Sequence, residues 1–146
     1  MPARIDIVVA EDPIDLAAAL AEAAPDGADG AMVSFTGHVR AEPGCDALEL
    51  SHYPGMTEKL IRRIAEQAAD RFGLSGLTVR HRVGVMQAGE TIVLVLAVAR
   101  HRHAAFDAAR FTMDWLKTKA PFWKRTSNGA WVDARSEDDA AASAWG

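Results

Sequence analysis

The stretch Thr91-Ile92-Val93-Leu94-Val95-Leu96-Ala97-Val98-Ala99 carries no charge, and all but its first residue are apolar. It is far shorter than the ~18 residues a membrane helix needs, and its unbroken apolar character predicts a central β-strand. The chain leaves this strand through Arg100-His101-Arg102-His103. A helix is then expected over His103–Lys119, with Phe106, Ala109, Met113 and Leu116 on its inner side and Pro121 as its stop. Phe122–Thr126 and Ala130–Asp133 read as a hairpin around Ser127-Asn128-Gly129, since Asn-Gly favours a tight turn.

Upstream, Leu77–Val83 reads as a strand. Met56, Leu60, Ile64, Ala68 and Phe72 repeat every four residues, which predicts a helix with that buried face and Gly73 as its left-handed cap. Ala47–His52 alternates as a half-exposed strand, and Ala31–Thr36 reads as another, with a loop around Glu42-Pro43-Gly44 between them. Asp12, as cap before Pro13, opens a helix that runs to Ala24 and ends at Pro25-Asp26-Gly27, and Arg4–Val9 is the first strand. The order β-α-β-β-α-β-β-α-β-β is an α+β pattern with about three helices and mostly antiparallel pairing. A single domain over 1–135 and a disordered acidic, Ala-rich tail over 136–146 are expected.

With 146 residues, 49% hydrophobic and 25% charged, the chain has the make-up of one ordinary globular domain. Cys45 is its only cysteine, so an internal disulfide and a Cys-rich zinc site are excluded. Asp6 interrupts Met1–Val9 and no cleavage site follows, so no signal peptide is expected and the location reads as cytoplasmic. The net charge of −4 is unevenly spread. Residues 1–79 hold 6 basic and 13 acidic side chains, residues 80–125 hold 9 and 3, and residues 126–146 hold 1 and 4. A basic block inside an acidic chain points to a local anion site.

Within that block, Lys117, Lys119 and Lys124, three of the four lysines, fall in eight residues and are interleaved with Phe122 and Trp123. Amines beside aromatic walls can be desolvated and can act as nucleophiles or proton donors. Solvated lysines around a packed aromatic pair would give the same pattern. Arg100-His101-Arg102-His103, between a strand end and a helix start, suits a phosphate. Arg40, at the end of Phe35-Thr36-Gly37-His38-Val39-Arg40, is either a ligand or a surface charge. The histidines lack metal spacing, so no metal and no cofactor is expected. Glu42 and Asp46 flank Cys45, which argues against a reactive thiolate.

Several of these stretches together resemble one family. They are Phe35–Arg40; Leu50-Ser51-His52-Tyr53-Pro54-Gly55-Met56-Thr57-Glu58-Lys59; His81-Arg82-Val83-Gly84; His101-Arg102 with Ala105-Phe106; and Met113–Arg125, which contains Lys117-Thr118-Lys119-Ala120-Pro121-Phe122-Trp123-Lys124-Arg125. In this order, from about Ile5 to Arg135, they are similar to the large, catalytic subunit of molybdopterin synthase, the MoaE family. The resemblance implies an α/β-hammerhead-type fold. It also implies a sulfurtransferase that turns cyclic pyranopterin monophosphate into molybdopterin. The sulfur would come from the C-terminal Gly-Gly thiocarboxylate of a small ubiquitin-like partner, and a homodimer would form the core of a heterotetramer.

Carried over by motif, Lys117 and Lys124 would be catalytic. Arg40, His101, Arg102 and Arg135 would bind substrate, with His101 and Arg102 supplied by the neighbouring protomer. Thr126 stands where the family usually has a glutamate, so no carboxylate role transfers to it. The basic block alone also fits a binding module for an acidic peptide tail or a nucleotide. Nucleic acid ranks last, because the rest of the chain is acidic.

Overall fold

The computed structural model describes residues 2–41, 43, 46–126, 131–133 and 145. The chain order is β1 (Arg4–Ala10), α1 (Leu16–Ala23), β2 (Ala31–His38), β3 (Ala47–His52), α2 (Met56–Phe72), β4 (Gly76–Arg82), β5 (Gly84–Gln87), β6 (Thr91–Ala99), α3 (Arg102–Lys119), β7 (Phe122–Thr126) and β8 (Trp131–Asp133). The fold is α+β; among the described residues there are three helices, and only β1–β4 pairs in parallel.

The strands form two four-stranded sheets, ordered β1-β4-β6-β2 and β5-β3-β7-β8. The uncharged run that became β6 is an inner strand of the first. Val93, Val95, Ala97 and Ala99 join the main core with α2 and α3, while Leu94 and Leu96 meet Ala19 and Ala23 of α1 on the other side. Burial on both faces is what an unbroken apolar strand provides for.

Four expectations shift. Asp15, not Asp12, caps α1: its side chain accepts from the Ala18 N–H at 3.1 Å, and Pro13 belongs to the lead-in. Helix α2 has the expected bounds, but Met56 is 52% exposed and the buried residues include Ile61, Ile64, Ala65, Ala68 and Ala69. A strict four-residue spacing drifts by about 40° per step around an α-helix, so its two ends cannot share one face. Helix α3 buries Ala105, Ala108, Ala109 and Thr112, small residues that let it lie close to the sheet, together with Phe111 and Leu116. Phe106, about 100° around from Ala105, is left 60% exposed.

The fourth shift is an additional strand, β5. Gly84 has φ 87° and turns the chain out of β4 and the first sheet into the second. A four-residue strand with Val85 exposed and Met86 buried gives little periodicity to read.

Gly73 closes α2 in the left-handed conformation, φ 64°, ψ 46°. Trp145 sits against α2 and α3. Its indole N–H donates to Asp114 Oδ2 at 2.6 Å, and its ring meets the edges of Phe72 and Phe111. The guanidinium groups of Arg71 and Arg110 lie 5.5 and 5.2 Å from that ring. The rest of the 136–146 tail, the turn around Ser127-Asn128-Gly129, Glu42, Gly44 and Cys45 lie outside the described residues. Among the described residues, no helix is long and apolar enough to cross a membrane.

Candidate active site

The second sheet decides where Lys124 stands. In the β3–β7 register Lys124 lies opposite Leu50 and Phe122 opposite His52. Residues paired across antiparallel strands share a face, so Lys124 emerges on the side of buried Leu50 and Phe122. Arg125 faces the other way and pairs with Glu49 directly across the ladder. Trp123, on that outer face, tilts against Tyr53 with ring centroids 5.8 Å apart.

Helix α3 sorts the other two lysines. Lys119 is exposed, with its ammonium 5.5 Å from the Trp115 ring centroid. Lys117, beside buried Leu116, is half-buried. Its charge reaches His81, the last core-facing residue of β4 after Leu77 and Val79. His81 in turn stacks on Phe122, with centroids 4.0 Å apart and planes 15° from parallel. Phe122 is two positions from Lys124 on the same face, about 7 Å along the strand. Both lysines therefore border one aromatic and imidazole cluster.

His81 is 3% exposed, and its Nδ1–H donates to the Arg82 carbonyl at 2.7 Å. Burial holds its pKa down to about 3, and the hydrogen bond to the Arg82 carbonyl only partly opposes that. The charge of Lys117 and then that of His52 depress it further. A neutral imidazole beside an ammonium adds no repulsion. His52, paired with Phe122 across the β3–β7 ladder with ring centroids 6.4 Å apart, stands 3.8 Å from Glu58 through Nδ1. The sequence quoted His81 within a motif but gave it no role; the alternation Leu77, Val79, His81 was the signal that it points inward.

Arg40 lies at the same end of the first sheet as His81. Strand β2 ends with His38 opposite Thr91, and His81 pairs with Val93. His101 and Arg102 lie at the opposite end, past Ala99, where the Arg100 carbonyl accepts from the Gly30 N–H at 3.1 Å. From Arg102 to Lys117 is about 22 Å at the rise of an α-helix. The chain thus gathers Lys117, Lys124 and the Arg40 end, and holds His101 and Arg102 away from them. All three of those last residues are exposed. Arg135 lies outside the described residues, as does the side chain of Thr126.

A family model described as MoaE protein matches residues 9–119. The chain belongs to the MoaE family. The molybdopterin synthase catalytic subunit of Escherichia coli K12 is 44% identical to it, over 98% of this chain and 99% of that one. A solved structure, molybdopterin cofactor biosynthesis protein E from Burkholderia multivorans, superposes with a TM-score of 0.86 at 45% identity, covering 97% of each chain. A subunit 1–subunit 2 complex of molybdopterin-converting factor from Helicobacter pylori shares the fold, with a TM-score of 0.72 at 23% identity over 90% of each chain. As a MoaE-family chain, this protein has the function of a molybdopterin synthase catalytic subunit in molybdenum cofactor biosynthesis.

Proposed function

We propose that the lysine cluster transfers sulfur from the C-terminal thiocarboxylate of a small ubiquitin-like subunit to cyclic pyranopterin monophosphate. The observation that carries this reading is the convergence of half-buried Lys117 and Lys124 on the neutral His81–Phe122 stack. A thiocarboxylate and a cyclic phosphate are both anions, and bringing them together requires fixed cations in a partly desolvated place. Ammonium groups there also supply protons when the cyclic phosphate opens and when sulfur adds to carbon. In each transfer sulfur bonds to a side-chain carbon of the precursor as a carbon–oxygen bond there breaks, while water takes the place of sulfur on the partner's terminal glycine. The oxygen stays with the opened phosphate in one transfer and leaves as water in the other. The partner leaves as a carboxylate, and two transfers complete the dithiolene.

Lys117 and Lys124 are the catalytic residues in this reading, and Arg40 and Arg135 bind substrate. His101 and Arg102, too far along α3 to serve their own lysines, serve those of a second copy. A homodimer with one small subunit per site follows. The relatives' designation as catalytic subunits supports a further chain in the assembly. The site of action is the cytoplasm, in keeping with a single cysteine and no internal disulfide.

The test is anaerobic turnover of precursor and thiocarboxylated small subunit. Lys117→Ala and Lys124→Ala should each lower kcat by about 10²–10³-fold, the scale of losing a group that stabilises transition-state charge. Wild-type dithiolene formation by the folded double variant would sink the assignment.

A further inference from the structure

The turn between β5 and β6, Gln87-Ala88-Gly89-Glu90, is closed twice over. The Glu90 N–H donates to the Gln87 carbonyl at 3.1 Å, and the Gln87 N–H donates to Glu90 Oε2 at 2.6 Å. The other carboxylate oxygen of Glu90 lies 3.6 Å from Nη1 of Arg82. Arg82 is itself 8% exposed and donates through Nε and Nη2 to the Glu11 carbonyl.

This turn grips both stems of the connection between β2 and β3. On one side the Val39 N–H donates to the Glu90 carbonyl at 2.9 Å, and the Gly89 N–H donates to the Val39 carbonyl at 2.8 Å. On the other, the Ala88 N–H donates to the Asp46 carbonyl at 2.9 Å. Val39 is 6% exposed, and the next residue is Arg40. The exposed arginine thus leaves from a backbone position fixed on both its N–H and its carbonyl.

We propose that Glu90 is a positioning residue for Arg40, its carboxylate bridging Arg82 and the Gln87 N–H so that the turn aims Arg40 at the anionic substrate. This rests on the substrate-binding role given to Arg40 above. An arginine whose backbone is already placed loses less freedom when it meets an anion, so its contribution appears as binding. The side chain of Glu90 touches no substrate and acts only through the turn.

The experiment is a double-mutant cycle on the full chain, reconstituted with the thiocarboxylated small subunit and assayed on the precursor. Glu90→Ala should raise KM about fivefold with kcat within about twofold, the mark of lost uniform binding. Glu90→Gln, whose amide oxygen still accepts from Gln87, should recover most of that. Adding Glu90→Ala to Arg40→Ala should cost nothing more, because the group being aimed is gone. If Arg40→Ala is defective but Glu90→Ala raises KM equally with and without Arg40, the inference is overturned alone. If Arg40→Ala matches wild type, the role of Arg40 fails and the inference falls with it. Hydrogen exchange gives a readout that needs no substrate: Glu90→Ala should speed exchange at the Val39 N–H and leave Val95 unchanged. Unchanged exchange at Val39 would also overturn it.

Discussion

His81 links acid sensitivity to the architecture of the site. Its folded pKa, about 3, lies below its ordinary value of 6.5. Between those values the unfolded chain takes up a proton that the folded chain refuses, so stability is full above pH 6.5 and falls as the pH drops toward 3. The slope from this one group is roughly 1.4 kcal/mol per pH unit. A His81→Phe variant keeps a ring on Phe122 and has no proton to gain. Between pH 7 and pH 5 it should lose about 2 kcal/mol less unfolding free energy than wild type in urea titrations. Equal losses would mean that His81 titrates normally. The residue types of the site were readable in the chain, because lysines packed among aromatics stand out. The use of His81 was not, because the ring that buries it, Phe122, comes from a strand far away in sequence.

Helix ends and interiors were read most accurately where the signal is local. The bounds of α2 and the glycine after it needed no knowledge of the rest of the molecule, whereas its buried face departed from the four-residue spacing. Gly73→Ala puts a Cβ on a residue at φ 64° with nothing within 4 Å, so strain is the only cost. It should lower stability by about 1 kcal/mol and leave turnover unchanged, as thermal melts and the sulfur-transfer assay will show. Gly73→Asn should lose less, since asparagine tolerates that conformation. The α3 face went astray for a different reason: alanines carry little hydrophobic signal, yet here they form the contact. Strand β5 and the division into two sheets depend on pairing between distant segments, which no local period encodes. The same holds for α1, where two aspartates compete for one cap and only geometry chooses Asp15.

For the whole molecule, the decisive fact is that α3 carries His101–Arg102 at one end and Lys117 at the other. If sites are shared across a dimer, Lys117→Ala and Arg102→Ala chains should rescue each other when unfolded together and refolded. Random pairing gives half mixed dimers, each with one intact site, so about a quarter of wild-type activity should return. No recovery, with dimers confirmed by sedimentation, would place all the residues of a site in one chain. The family resemblance made this arrangement an expectation; the length of α3 supplies the physical reason for it. The second sheet has a further consequence, for synthesis. Its strands come from both sides of α2 and from beyond α3, and Lys124 finds its place only by pairing opposite Leu50, across about half the chain. A polypeptide still on the ribosome, or one cut short before Phe122, contains every strand of the first sheet and yet lacks the strand that places Lys124. On the role proposed above for Lys124, such incomplete copies would be inert toward a thiocarboxylate, and premature release of sulfur would be avoided without any separate guard.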